Sequence, residues 1–144
     1  MLIIKPVADK QLQADYAEAC GAPFHIGDLA YAAYEDGTFI ALSQFRLSEN
    51  GGILDTLSLC RGSADWEALF ILARQTLNWI DLRGFHTCQC PPDAGNMRLL
   101  RLVGFESRED GGLCADMTHM FDGSCGGRCS LAEELKKLSN DASI

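Results

Sequence analysis

"LSLCRGSADWEALFILARQTLNWIDLRGF", residues 57–85, runs from a strand-like segment through an Arg-Gly step straight into a long helical pattern. Trp66, Leu69, Phe70, Ala73, Leu77 and Ile80 recur at helical spacing, which predicts a helix over 64–82 that stops at Gly84. Ile71, Leu72 and Trp79 widen the apolar surface, so this helix is expected to be covered on more than one side. Unpaired N–H groups at such a strand-to-helix junction favour an anion. Here Asp65 and Glu67 fall in the first helical turn and complement the helix dipole themselves, with Ser63 as the expected cap.

Working outward, "ILDTLSL" (53–59) reads as an interior strand, with Ile53, Asp55, Leu57 and Leu59 on one face and Leu54, Thr56 and Ser58 on the other. Upstream, "MLIIKPV" is a first strand. "DKQLQADYAEACG" is a helix capped by Asp9 and ended by Gly21, burying Leu12, Tyr16 and Ala19. "LAYAAYEDGTFIALSQFRL" is a hairpin around "EDGT". Downstream come a short strand "FHTCQC", a loop "PPDAG", a helix "NMRLLRLVG" and two closing strands, "FESRE" and "LCADMTHMF". A loop with two cysteines follows, then a tail helix opened by the capping box Ser130 to Glu133. This order gives an α/β or α+β fold: one mixed central sheet flanked by helices (1–121), with an added C-terminal loop and helix (122–144) packed on it.

The chain's 144 residues suit one domain with a full core. A net charge of −8 argues against nucleic acid or an anionic membrane as partner. No apolar run approaches the roughly 20 residues of a membrane span. The start lacks the basic and apolar regions of a signal peptide, and seven cysteines in a chain of this size point to free thiols in a reducing cytoplasm.

Asp55 is the one acidic residue inside the central strand. A carboxylate there suits a general base acting on an amine, directly or through water; it equally suits a bond to a neighbouring strand. His25, His86 and His119 share no metal-ligand spacing and are expected to be structural, with no metal. Serine-nucleophile and Walker signatures are absent. Cys88 and Cys90 point to one strand face and are expected to be buried free thiols. Cys125 and Cys129 flank "GGR", where Arg128 and the tail-helix N-terminus favour a thiolate. They are expected to be the most reactive thiols, and could pair with each other or, with Cys114 or His119, give half of a metal site.

A hairpin before a central strand and its long helix, followed by "NMRLLRLVGF", resembles the GNAT superfamily of acyl-CoA N-acyltransferases over roughly residues 1–121. The late helix of that family typically ends in Gly-Phe, as Gly104-Phe105 do here. Its cofactor loop reads Arg or Gln, two residues, Gly, one residue, then Gly or Ala. Laid on this chain, Arg61 takes the basic position and Gly62 is a common neighbour, while Ala64 and Trp66 fall on the two small-residue positions.

The resemblance implies acetyl-CoA at the notch beside Leu59, with Arg61, Gly62, Ser63 and Ala64 against its pyrophosphate, and an amine of a small molecule or peptide as acceptor. Many family members carry a Tyr on the late helix that protonates the departing thiolate; the matching position here is Leu100. The implied function is N-acyl transfer from coenzyme A to an amine. Two other readings stay open. Trp66, Asp65 and Leu100 fit a relative that keeps the fold as a binding or interaction module, and Cys125 with Cys129 fits a thiol or metal module.

Overall fold

The structure, a computed structural model, describes residues 1–121. The pair Cys125 and Cys129, Arg128 and the Ser130–Glu133 box lie outside the described residues, and with them the expected tail helix.

Seven strands and three helices follow in the expected order: β1 (Leu2–Pro6), α1 (Lys10–Ala19), β2 (Leu29–Glu35), β3 (Thr38–Ser48), β4 (Gly51–Leu59), α2 (Trp66–Leu82), β5 (Thr87–Cys90), α3 (Met97–Val103), β6 (Phe105–Ser107) and β7 (Leu113–Asp116). The sheet order is β1-β2-β3-β4-β5-β7-β6, so β4 is central. All neighbours are antiparallel except β4 and β5, which run parallel. The β2–β3 hairpin turns on Asp36 and Gly37, both at positive φ, as a two-residue Asp-Gly turn requires.

The sheet separates two cores. On one face, Leu69, Leu72, Ala73, Leu77 and Ile80 of α2 and Leu99, Leu100 and Val103 of α3 bury against Phe45, Leu54, Leu57 and Phe105. Sheet on one side and α3 on another account for the apolar surface of α2, except at Ile71, which is exposed against expectation. On the opposite face, Ala17 of α1 packs on Val7, Ala30, Ala32 and Leu42. Small residues on both sides bring this helix close to the strands.

Several expectations need correcting. The buried face of α1 centres on Gln13 and Ala17, while Leu12 is exposed. Tyr16 and Ala19 are half-buried, Tyr16 stacking on Phe39 with ring centroids 3.8 Å apart. A polar side chain takes the inward position because its partners wait on β3 and the following loop: Gln13 Nε2 donates to Gln44 Oε1 (2.9 Å) and to the His25 carbonyl (3.1 Å). Helix α2 begins at Trp66 rather than at 64, and its cap is Asp65, whose carboxylate accepts from Ala68 N–H (3.1 Å), not Ser63. The last strands are shorter than expected. Arg108 N–H donates to the Gly112 carbonyl, closing a turn after Ser107. Asp116 then accepts from the backbone and the hydroxyl of Thr118 and ends β7.

The faces of β4 also differ from simple alternation. Gln44 pairs with Thr56 and Phe45 with Leu54, so Asp55 is the extra residue of a β-bulge. Leu54 and Leu57, three apart, both enter the α2-side core. Asp55 and Thr56 can then share the opposite face. The bulge sits where β4 parts from β5: the two strands pair only at Gly52 with Cys88 and Ile53 with Gln89.

Candidate functional site

A cavity of about 320 Å³ opens on the α1 side of β4. Gly21 to Pro23 and His25 wall it from the α1–β2 loop, Asp55, Thr56 and Ser58 from β4, and the segment Pro91 to Asn96 from the β5–α3 loop. Gln44, fully buried, ties several of the lining residues together. Gln44 Oε1 accepts from His25 N–H (3.0 Å), and its Nε2 donates to the Pro23 carbonyl (2.8 Å) and to Thr56 Oγ1 (3.0 Å). One amide therefore fixes the 22–28 loop onto β3 and β4. Lys10 extends the network to Gln13 Oε1 and to the Asp28 carbonyl.

Three titratable side chains converge at this point. Donor atoms of His25, Asp28 and Asp55 lie within 4.8 Å of one another. Arg46 supplies the nearest cation, with Nε 3.0 Å from Asp55 Oδ2 and 3.9 Å from Asp28 Oδ1. Asp28 is 3% exposed, and its Oδ2 has no hydrogen-bond donor. Burial first, and the adjacent Asp55 second, push the Asp28 carboxyl up to about 7 against the pull of Arg46 and Lys10. The Asp28 carboxyl therefore leans toward its protonated form, in which the orphaned oxygen can carry an O–H. With Asp93 also on the wall, the cavity presents carboxyl groups to a ligand and suits a cation, in particular a protonated amine.

Asp55, the candidate base of the sequence, lines the cavity and is bonded to Arg46 of the neighbouring strand, as the structural alternative expects. His25 and Asp28 were not expected beside it. Roughly thirty residues separate them from Asp55 along the chain, and no spacing rule joins a loop to a strand bulge. His86 is engaged elsewhere, its Nδ1 2.6 Å from Asp81 Oδ1. Cys88 and Cys90 are buried and free, as expected. Leu100 is fully buried in the α2-side core, consistent with its side chain.

The residues expected to meet a coenzyme lie at the end of β4 and in the turn after it. Leu59 pairs with Ala41 and packs on the core. Arg61 N–H donates to the Ala19 carbonyl (3.0 Å), and the Arg61 guanidinium lies against Gly21 at the C-terminal end of α1. Gly62, at positive φ, has open space around it. Ser63 N–H donates to the Cys60 carbonyl, Trp66 N–H to the Ala64 carbonyl, and Ser63 Oγ accepts from Asp65 N–H. Asp65 itself caps α2, with Glu67 in the first turn.

Much of the positive helix end is therefore satisfied from within. The edge of β4 beyond the bulge is also engaged: Leu57 N–H donates to the Ala94 carbonyl (2.8 Å), and Gly95 lies against the Leu57 carbonyl. In this conformation the residues present do not accept a coenzyme A there. Its pyrophosphate, set against Arg61 to Ala64 as the resemblance implies, would meet the Asp65 carboxylate.

No family model and no curated protein sequence matches this chain. Solved structures do. The ribosomal-protein-S18-alanine N-acetyltransferase of Escherichia coli superposes with a TM-score of 0.64 at 15% identity, over 81% of this chain and 94% of that one. The PaiA N-acetyltransferase of Thermoplasma acidophilum, solved with coenzyme A, gives 0.62 at 12% identity over 81% and 99%. A GNAT family acetyltransferase of Brucella melitensis, solved with acetyl-CoA, gives 0.63 at 16% identity over 81% and 88%. At these identities the likeness is one of fold, and the fold of this chain is that of the GNAT acetyltransferases.

Proposed function

With the GNAT fold as premise, we propose that this chain is an N-acyltransferase whose acceptor is a protonated amine bound in the cavity at Asp55. The observation that carries the reading is the cluster of Asp55, Asp28 and His25 at the bulge where β4 leaves β5. The carboxyl groups attract the ammonium, and Thr56, Ser58 and Asn96 offer polar contacts around it. Asp55 would take the proton that an ammonium must lose before its nitrogen can attack. An acyl-CoA would be the donor, as in the neighbours solved with coenzyme A or acetyl-CoA. The conformation described leaves that donor no room, so its binding requires a rearrangement beside β4.

A second reading has its own support. The Asp65 cap, the Leu57–Ala94 bond and buried Leu100 fit a protein that binds a cationic ligand on this fold without transferring anything. Acetyl-CoA calorimetry, followed by mass spectrometry of reactions with a short polyamine, an aromatic alkylamine and a peptide amine, separates the two. An acetylated product that falls when Asp55→Asn is introduced supports transfer. Amine binding without coenzyme binding or product favours the second reading.

A further inference from the structure

Strand β4 has an open edge inside the sheet. Its parallel pairing with β5 ends at Ile53, and from Leu54 to Leu59 that side no longer faces a strand. The cause lies in β5, which is four residues long and followed at once by Pro91 and Pro92. Neither proline has an N–H to give, so the ladder cannot continue. An unpaired strand edge invites any extended chain that carries amides. In this protein the chain's own Pro91–Gly95 segment meets that edge, through the Ala94 carbonyl on Leu57 N–H and the close approach of Gly95.

We propose that Pro91–Gly95 is a strap that keeps the groove beside β4 closed, and that it has to leave β4 before an acyl-CoA can bind. The proposal rests on the acyltransferase reading for the identity of the ligand it excludes. Its geometry stands on local observations. Ala94 is buried at the contact, whereas Pro92 and Asp93 on its outer side are exposed. The segment's internal tie is a single turn, Ala94 N–H to the Pro91 carbonyl (3.1 Å). Asn96 anchors its far end by capping α3, with Oδ1 accepting from Leu99 N–H (3.1 Å). The strap is thus pinned at both ends and held to β4 by the Leu57 bond and the fit of Gly95. The arm of an acyl-CoA carries two amides in an extended chain and would compete for the same edge. The strap also walls the amine cavity, so its departure would join the amine site to the donor groove.

Gly95 gives a direct handle. A Cβ at this position would lie 2.4 Å from the Leu57 carbonyl oxygen, a backbone atom that cannot step aside. Gly95→Ala should therefore push the strap off β4. Pro92→Gly, at an exposed position, should loosen it more gently. The experiment combines hydrogen exchange by mass spectrometry on the peptide holding Leu57 with acetyl-CoA calorimetry, on the full chain.

Both variants should speed exchange at Leu57 in the ligand-free protein. Gly95→Ala should tighten acetyl-CoA binding by roughly three- to tenfold, the worth of one backbone hydrogen bond no longer lost on binding. Acetyl-CoA should restore the protection. If wild type binds acetyl-CoA while the strap contact stays as it was, or if wild type binds it and released variants bind no better, the strap proposal is overturned and the donor reading stands. If released variants and wild type alike bind none, both fall.

Discussion

Replacing Asp28 by asparagine removes one titrating group and keeps the shape. In the native protein, burial and Asp55 hold the Asp28 carboxyl up near 7, against an ordinary value of 3.8. Its folded-state value is the higher one, so between these limits the folded chain binds more protons than the unfolded chain. The contribution to stability is therefore fully present below about pH 4 and is lost as pH rises through 7. From pH 5 to pH 7 that is two units at about 1.4 kcal/mol each, so at most about 3 kcal/mol.

The amide introduced by Asp28→Asn does not titrate, and its N–H can donate to Asp55 as the carboxyl O–H did. The two proteins should melt within a few degrees of each other at pH 5. By pH 8 the wild type should lose up to about 3 kcal/mol that the variant retains. For a chain of this length that is a Tm gap of roughly 5–12 °C. Thermal melts by circular dichroism in matched buffers read this directly. Groups remote from Asp28 are common to both proteins and cancel in the difference. Parallel Tm curves from pH 5 to pH 8 would refute the account of a raised Asp28 carboxyl.

Gln44→Leu should cost at least about 3 kcal/mol, because it leaves Gln13, His25 N–H, the Pro23 carbonyl and Thr56 without their buried partner; a Tm within about 2 °C of wild type would count against the network. Asp65→Ala should cost about 1 kcal/mol as a lost cap, whereas Asp65→Asn should change stability by only a few tenths. The Asp65→Asn variant should also bind acetyl-CoA more tightly by calorimetry, with the gain shrinking as salt rises. Timed alkylation with peptide mapping at neutral pH should modify Cys20, Cys88 and Cys90 slowly, since burial pushes the Cys20 and Cys90 thiols up to about 12 and Cys88 higher still. The same assay tests the expectation that Cys125 and Cys129 react first; early labelling of Cys88 or Cys90 would refute it.

The sequence by itself determined the order of elements and a mixed sheet flanked by helices. Helical spacing from Trp66 to Ile80, the Asp-Gly turn and the glycine after each helix are all local signals, and local geometry obeyed them. The same residues carried the GNAT resemblance that the superpositions bear out at the level of fold. Tertiary structure decided what depends on partners distant along the chain. The inward turn of Gln13 follows from Gln44, 31 residues away.

The bulge at Asp55 follows from the register of β4 on β3, and it breaks the face assignment that strict alternation gives. The meeting of His25 and Asp28 with Asp55 follows from that bulge and from the loop that Gln44 fixes. The contact of Ala94 with Leu57 follows from β5 ending early at two prolines beside a parallel neighbour. Periodicity and capping report the few residues that share a turn or a pleat. A buried polar group or an open strand edge is satisfied by whichever segment the whole fold brings to it.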